Sequence, residues 1–92
     1  MRARRTDANH TEIRDAMRDA GAEVFDLSGC GKGAPDTLVF APGVGLRLVE
    51  IKVRKGKTTP AQDKFHARFP VEIVRTKEEA LQLISNPPQQ ER

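Results

Sequence analysis

Two short segments of this chain read as the strands of one hairpin, and their pairing leaves the rest of the molecule little freedom. Asp36-Thr37-Leu38-Val39-Phe40-Ala41 and Leu46 to Val53 are rich in β-branched and aliphatic residues, and Pro42-Gly43-Val44-Gly45 supplies a turn between them. Placing Asp36 opposite Glu50 sets Leu38 against Leu48 and Phe40 against Leu46, with Lys52 one step beyond Glu50 on the same face. The other face then carries Val39, Ala41, Val49, Ile51 and Val53. Both faces are largely apolar, which predicts a sheet covered on both sides. The exception is one end of one face, where Asp36, Glu50 and Lys52 converge. Burying two carboxylates and an ammonium there costs desolvation unless a metal ion or a water-filled cleft receives them. The same spacing also permits a plain surface aspartate beside an ordinary Glu50–Lys52 ion pair along one strand.

The remaining elements follow from periodicity. Ile13, Ala16, Met17 and Ala20 recur at helical spacing over residues 9–20, with Asn9 and Glu12 placed as a capping box and Gly21 as a stop. Ala22 to Leu27 reads as a short strand, and Ser28 to Pro35 as a flexible loop with three glycines. Thr59-Pro60-Ala61-Gln62 opens a helix that ends near Arg68, with proline at the first helical position and glutamine at the third. Pro70 to Val74 gives a fourth strand, and Thr76-Lys77-Glu78-Glu79 caps a last helix carrying Ala80, Leu81 and Ile84. The order is α-β-β-β-α-β-α. Strands one to three should form an antiparallel meander, and the helical crossover should set strand four parallel to strand three.

A length of 92 residues accommodates one small domain and excludes an enzyme built around a deep interdomain cleft. Residues 1–8 read as a basic N-terminal arm, 9–84 as the domain, and 85–92, with Pro87-Pro88 and no apolar side chain, as a disordered tail. The net charge of +3 suits a polyanionic partner without requiring one. A lone Cys30 allows neither a disulfide framework nor a four-cysteine zinc site. No apolar run approaches the length needed to cross a bilayer, and the basic N-terminus is not followed by the apolar core of a secretory signal. The expectation is a cytoplasmic protein.

Two carboxylates on neighbouring strands, with the carbonyl of the intervening Ile51 at hand, suit a hard, oxygen-preferring cation such as Mg²⁺ or Mn²⁺. Such an ion lowers the pKa of a bound water and offsets charge on a phosphoryl oxygen, and Lys52 stands beside it to stabilise the same charge. Pro35-Asp36 lies fourteen residues before Glu50-Ile51-Lys52 by the count from Asp36. This arrangement resembles the signature of the PD-(D/E)XK nucleases. Glu12, Gly33-Ala34-Pro35-Asp36, Val49-Glu50-Ile51-Lys52 and Thr58-Thr59-Pro60-Ala61-Gln62, in that order, are similar to the VRR-NUC family, particularly its small stand-alone members from bacteriophages and bacteria.

The resemblance implies a restriction-endonuclease-like fold, a three-layer αβα core around a mixed four-stranded sheet. It also implies Mg²⁺-dependent hydrolysis of DNA phosphodiesters, leaving a 5′-phosphate and a 3′-hydroxyl. Asp36 and Glu50 would be the metal ligands, Ile51 would lend its carbonyl, Lys52 would be the catalytic lysine, Glu12 would contact the metal or its water, and Gln62 would lie near the site and complete the catalytic set. Host cytoplasm would be the location if the chain is phage-encoded. For Glu12 and Gln62, helix capping accounts for the residue type equally well.

Lys32, Arg54, Lys55 and Lys57 flank the expected site and are candidate phosphate contacts, or else a solvated basic rim. With no Trp or Tyr, base-stacking platforms are not expected. Gly29-Cys30-Gly31-Lys32-Gly33 lacks the spacing and the Ser/Thr of a nucleotide-binding loop, so no nucleotide cofactor is expected. His10 and His66 fall in no motif and read as surface or helix-end residues. Two expectations extend further: a homodimer, to cover apolar surface left over by three helices, and selectivity for branched DNA such as Holliday junctions, which paired sites would serve. The competing class is a non-catalytic DNA-binding module on the same fold.

Overall fold

The computed structural model describes residues 5–52 and 56–85. Along the chain these form α1 (Arg5–Asp19), β1 (Glu23–Asp26), β2 (Thr37–Ala41), β3 (Gly45–Ile51), α2 (Pro60–Arg68), β4 (Glu72–Val74) and α3 (Lys77–Ser85). The four strands lie in the order β1-β2-β3-β4. β1 and β3 each pair antiparallel with β2, while β4 runs parallel to β3. This is the expected mixed sheet in the expected element order.

The register is also the expected one. Leu38 faces Leu48, Phe40 faces Leu46, and Thr37 faces Val49. Thr37, Val39, Ala41, Val49 and Ile51 are buried on one face. Against them pack Ile13 and Met17 of α1 and Ala80 and Ile84 of α3, with Val74 of β4 closing the core. The helical stripe His10–Ile13–Met17 explains why α1 lies this way round, since those positions share one face at i, i+3 and i+7.

α1 begins earlier than its capping signal suggests. It runs from Arg5 through Asn9, so residues 5–8 of the expected arm are helical and Asn9–Glu12 is not a capping box. No proline or glycine between residues 5 and 9 interrupts the helix, and Asn9 can sit inside a helix at a small cost in propensity. Its C-terminus does stop where expected. Ala22 N–H donates to the Met17 carbonyl at 3.0 Å and Gly21 N–H to the Arg18 carbonyl at 3.0 Å, a Schellman pair. Gly21 takes φ of 106°, a conformation that other residues adopt only with strain. Residues 1–4 of the arm and 86–92 of the tail lie outside the described residues.

The other sheet face differs from the expectation of full cover. Among the described residues only α2 lies on it, over the end where Glu50 and Lys52 project, and α2 contributes no fully buried residue. Phe25 (63% exposed), Phe40 and Leu46 (65% exposed) stand uncovered across β1, β2 and β3. Two of the three helices share the opposite side, so one short helix cannot screen the whole of this one.

Stability should follow that one-sided core. Ile13→Ala should lower the unfolding free energy by about 2–5 kcal/mol, because it empties a fully buried site. Gly21→Ala should cost about 1 kcal/mol, from backbone strain alone, since space around it is open. Urea unfolding of both variants checks the order.

Candidate active site

The hairpin and α2 build the site together. Asp36 precedes β2, and its backbone carbonyl accepts from Leu27 N–H at 2.7 Å, continuing the β1–β2 pairing. Its carboxylate turns back into the sheet. The Thr37 hydroxyl donates to Oδ1 at 2.8 Å, and the Ile51 amide donates to both oxygens at 3.3 Å. Asp36 is thus tied directly to the strand that carries Glu50 and Lys52, with 9% of its surface exposed. Lys52 lies just past β3, where its amide donates to the Val74 carbonyl at 3.0 Å and extends the parallel ladder.

Glu50 is 6% exposed. Its Oε2 accepts from Gln62 Nε2 at 3.1 Å and lies 3.7 Å from the Lys52 ammonium. Among the described residues its Oε1 is buried without a hydrogen-bond partner. Burial pushes the Glu50 carboxyl above its ordinary pKa and the charge of Asp36 adds to the rise, while Lys52 opposes it. A buried acceptor left unpaired beside a second carboxylate is costly in the absence of a cation. The donor set, two carboxylates with one oxygen open, fits a hard divalent ion that retains most of its water. Among the described residues no three His, Cys, Asp or Glu side chains form a ready-made cage.

Gln62 links helix and site in one arrangement. Its Oε1 accepts from Thr59 N–H at 2.9 Å, while its own N–H donates to the Thr59 hydroxyl at 3.2 Å, which completes the capping box. The same Oε1 accepts from Lys52 Nζ at 2.9 Å, and Nε2 reaches Glu50. Capping and site contact are therefore simultaneous, not alternatives. Lys52 Nζ also donates to the Lys57 carbonyl at 3.2 Å. Two of the ammonium's three donors are occupied by neutral oxygens, which leaves one to point elsewhere.

The other expected residues are placed as follows. Glu12 is not at the site: it is exposed on α1 and pairs with Lys77 of α3 at 3.7 Å. The core-facing stripe passes through His10, and two residues on is a rotation of about 200° around the helix, which carries Glu12 away. His10 comes instead, with Nδ1 at 3.7 Å from Asp36 Oδ2. The sequence alone reads His10 as a surface or helix-end residue, although its position three before Ile13 on the apolar stripe is the available signal. His66 is half-buried on α2, and among the described residues its Nε2 has no hydrogen-bond partner. Lys32 is exposed on the glycine loop, and Lys57 meets the site through its backbone carbonyl. Arg54 and Lys55 lie outside the described residues. Ile51 joins through its amide, adjacent to the carbonyl that sequence reading assigned to the metal.

No family model matches the sequence. No curated protein matches it either. Among solved structures, a chain described as a VRR_NUC domain superposes with a TM-score of 0.69 at 28% identity, covering 90% of this chain and 97% of that one.

The raised Glu50 pKa carries a stability consequence. The folded state holds this proton more tightly than the unfolded one, so it binds more protons and stability falls as pH rises. The loss begins near the unfolded value of about 4.3 and is complete above the raised folded value. In metal-free protein, Glu50→Gln should flatten this part of the profile of Tm against pH. An unchanged slope in the variant would assign it to another group.

Proposed function

From its likeness to a VRR_NUC domain over 90% of the chain, we propose that this protein is a nuclease of the VRR-NUC type, a metal-dependent DNA endonuclease with its active site at Asp36, Glu50 and Lys52. The observation that carries this reading is the buried Asp36–Glu50 pair, with Glu50 Oε1 unpaired and Lys52 fixed 3.7 Å from Oε2. A structural ion pair has no need of an orphaned buried oxygen, whereas a metal centre does.

Asp36, Glu50 and the Ile51 carbonyl would hold Mg²⁺ or Mn²⁺. When bound, the ion lowers the pKa of a coordinated water and offsets charge on the scissile phosphate. The chain's own residues supply the rest. The Thr37 hydroxyl and Ile51 amide keep Asp36 aimed at the site, and Gln62 orients Glu50 and Lys52 together. Lys52 presents its remaining donor to the phosphoryl oxygen as charge builds there, an interaction stronger in the transition state than in the ground state. Displacement in line would leave a 5′-phosphate and a 3′-hydroxyl. Lys32, Lys57, Arg54 and Lys55 would track the DNA backbone.

Selectivity for branched DNA such as Holliday junctions, and a C₂ homodimer that would provide paired cuts, extend the same reading. Support for the dimer comes from Phe25, Phe40 and Leu46, a continuous uncovered apolar strip on the sheet. A second copy laid against it would bury the strip. Among the described residues no helix is long and apolar enough to cross a membrane.

Asp36→Asn or Glu50→Gln should abolish Mg²⁺-supported cleavage of labelled DNA while leaving the circular dichroism close to wild type. Turnover at the wild-type rate by either would sink the assignment. Ca²⁺ should support binding without cutting, because its looser coordination aligns the water poorly. Lys52→Ala should slow cleavage by at least about a hundredfold with a much smaller change in DNA affinity. If affinity falls equally, Lys52 is a phosphate anchor, and DNA binding without any cleavage in Mg²⁺ selects the non-catalytic module.

For the dimer, light scattering should give twice the chain mass for wild type and the chain mass for Leu46→Asp. A wild-type monomer at micromolar concentration ends that part of the proposal. Equal cutting of junction and linear duplex ends the junction preference.

A further inference from the structure

We propose that the groove between the Gly31-Lys32-Gly33 loop and α2 binds an unpaired nucleotide of the DNA substrate; this rests on the nuclease reading and specifies which feature of the DNA is recognised. The groove encloses about 320 Å³ and is lined by Lys32, Ala61, Lys64, Phe65, Arg68 and Phe69. Half of that lining is cationic, none is acidic, and the remainder is two phenyl rings and a methyl. Flat apolar surface rimmed by positive charge is complementary to a nucleotide, with a π-face for the rings and a phosphate for the cations.

The groove is built rather than incidental. Ala61, Lys64, Phe65 and Arg68 occupy i, i+3, i+4 and i+7 of α2 and so form one stripe. The Phe65 and Phe69 ring centroids are 4.6 Å apart, tilted by 34°, and the Arg68 guanidinium lies 5.7 Å from the Phe69 ring. Phe69 N–H donates to the Phe65 carbonyl at 2.9 Å, so the end of the helix fixes the backbone that carries the exposed ring. On the opposite wall Lys32 has φ of 58°, uncommon for a residue with a side chain, between left-handed Gly31 and Gly33. Gly33 is pressed against α2 so closely that a Cβ there would collide with the Ala61 carbonyl, and this contact pins the loop to the helix. The strained lysine is thus held beside the helix stripe.

Gln62 follows Ala61 directly, a turn of about 100° around α2, so the groove borders the carboxylate site on the same helix. Bases within a duplex are stacked on both faces and offer only their edges, so the rings can engage only a base that is already unpaired or splayed out. Nucleotides of this kind occur at flaps, forks and the centres of junctions. The absence of Trp and Tyr does not prevent stacking, because the two phenyl rings act as a pair.

The test compares binding, by fluorescence anisotropy with Ca²⁺ in place of Mg²⁺, to a duplex and to the same duplex carrying a single-stranded flap. Phe69→Ala should weaken flap binding roughly 5–150-fold, with duplex binding within about twofold. Lys64→Ala should weaken both alike and lower the salt slope by about one. Equal loss of both DNAs in Phe69→Ala, or loss of neither, overturns the proposal. Cross-linking of wild-type protein to 5-iodouracil in the flap, mapped by mass spectrometry, is independent of how the variants fold. Adducts at Phe65 or Phe69 are expected, and adducts elsewhere or none, as a groove fitted to an acidic peptide would give, overturn it. Failure of wild type to bind either DNA would remove the nuclease reading and this one together, whereas binding without dependence on Phe69 removes this one alone.

Discussion

Pairing of Thr37 with Val49 governs what the rest of the molecule can be. Side chains alternate across a strand, so a slip of β3 by one residue would turn Val49 and Ile51 to the uncovered face and send Glu50 into the core. In the register observed, one face is apolar enough to hold α1 and α3, and the other gathers its charges at one end. The Asp36 carboxylate reinforces that register by accepting from the amide of Ile51 across the hairpin. The residues that would hold a metal thus also help to hold the strands, and the site and the core share one origin.

A second dependence runs through Gln62. One side chain caps α2, accepts from Lys52 and donates to Glu50. The first turn of the helix and the polar end of the sheet therefore move as a unit, which matters in a domain too small to offer a deep supporting shell. Gly33 adds a further tie by packing the preceding loop onto the same turn. α2 buries no residue fully, and its position is set by these polar and backbone contacts more than by hydrophobic cover.

The uneven distribution of helices has functional consequences. Two helices on one face make a compact core, while the single helix on the other leaves open both the apolar strip of Phe25, Phe40 and Leu46 and the basic, aromatic flank of α2. An exposed apolar strip of this kind is what the proposed second copy would cover. A chain of this size has few residues with which to select a substrate, and those on α2 do several tasks at once.

By itself the sequence determined the element order, the hairpin register, the parallel fourth strand and the gathering of Asp36, Glu50 and Lys52, because each rests on local chemistry. Strand alternation, a Thr59–Pro60–Gln62 helix start and a glycine stop at Gly21 act within a few residues of themselves. What it left undecided depended on rotation about an axis or on distance in space. The start of α1 was misread because Asn9 can cap a helix or continue one, and only the chain before it decides which. That longer helix, seated by Ile13 and Met17, brought His10 to Asp36 and turned Glu12 towards Lys77. Both capping and site contact were open for Gln62, and the three-dimensional arrangement satisfied both with one amide. The groove beside α2 was not legible at all, since Lys32 and Phe69 are far apart in the chain and meet only because Gly33 lets the loop touch the helix. Local patterns specify elements and their faces; which faces meet is decided by packing, where the contacts that count are distant in sequence.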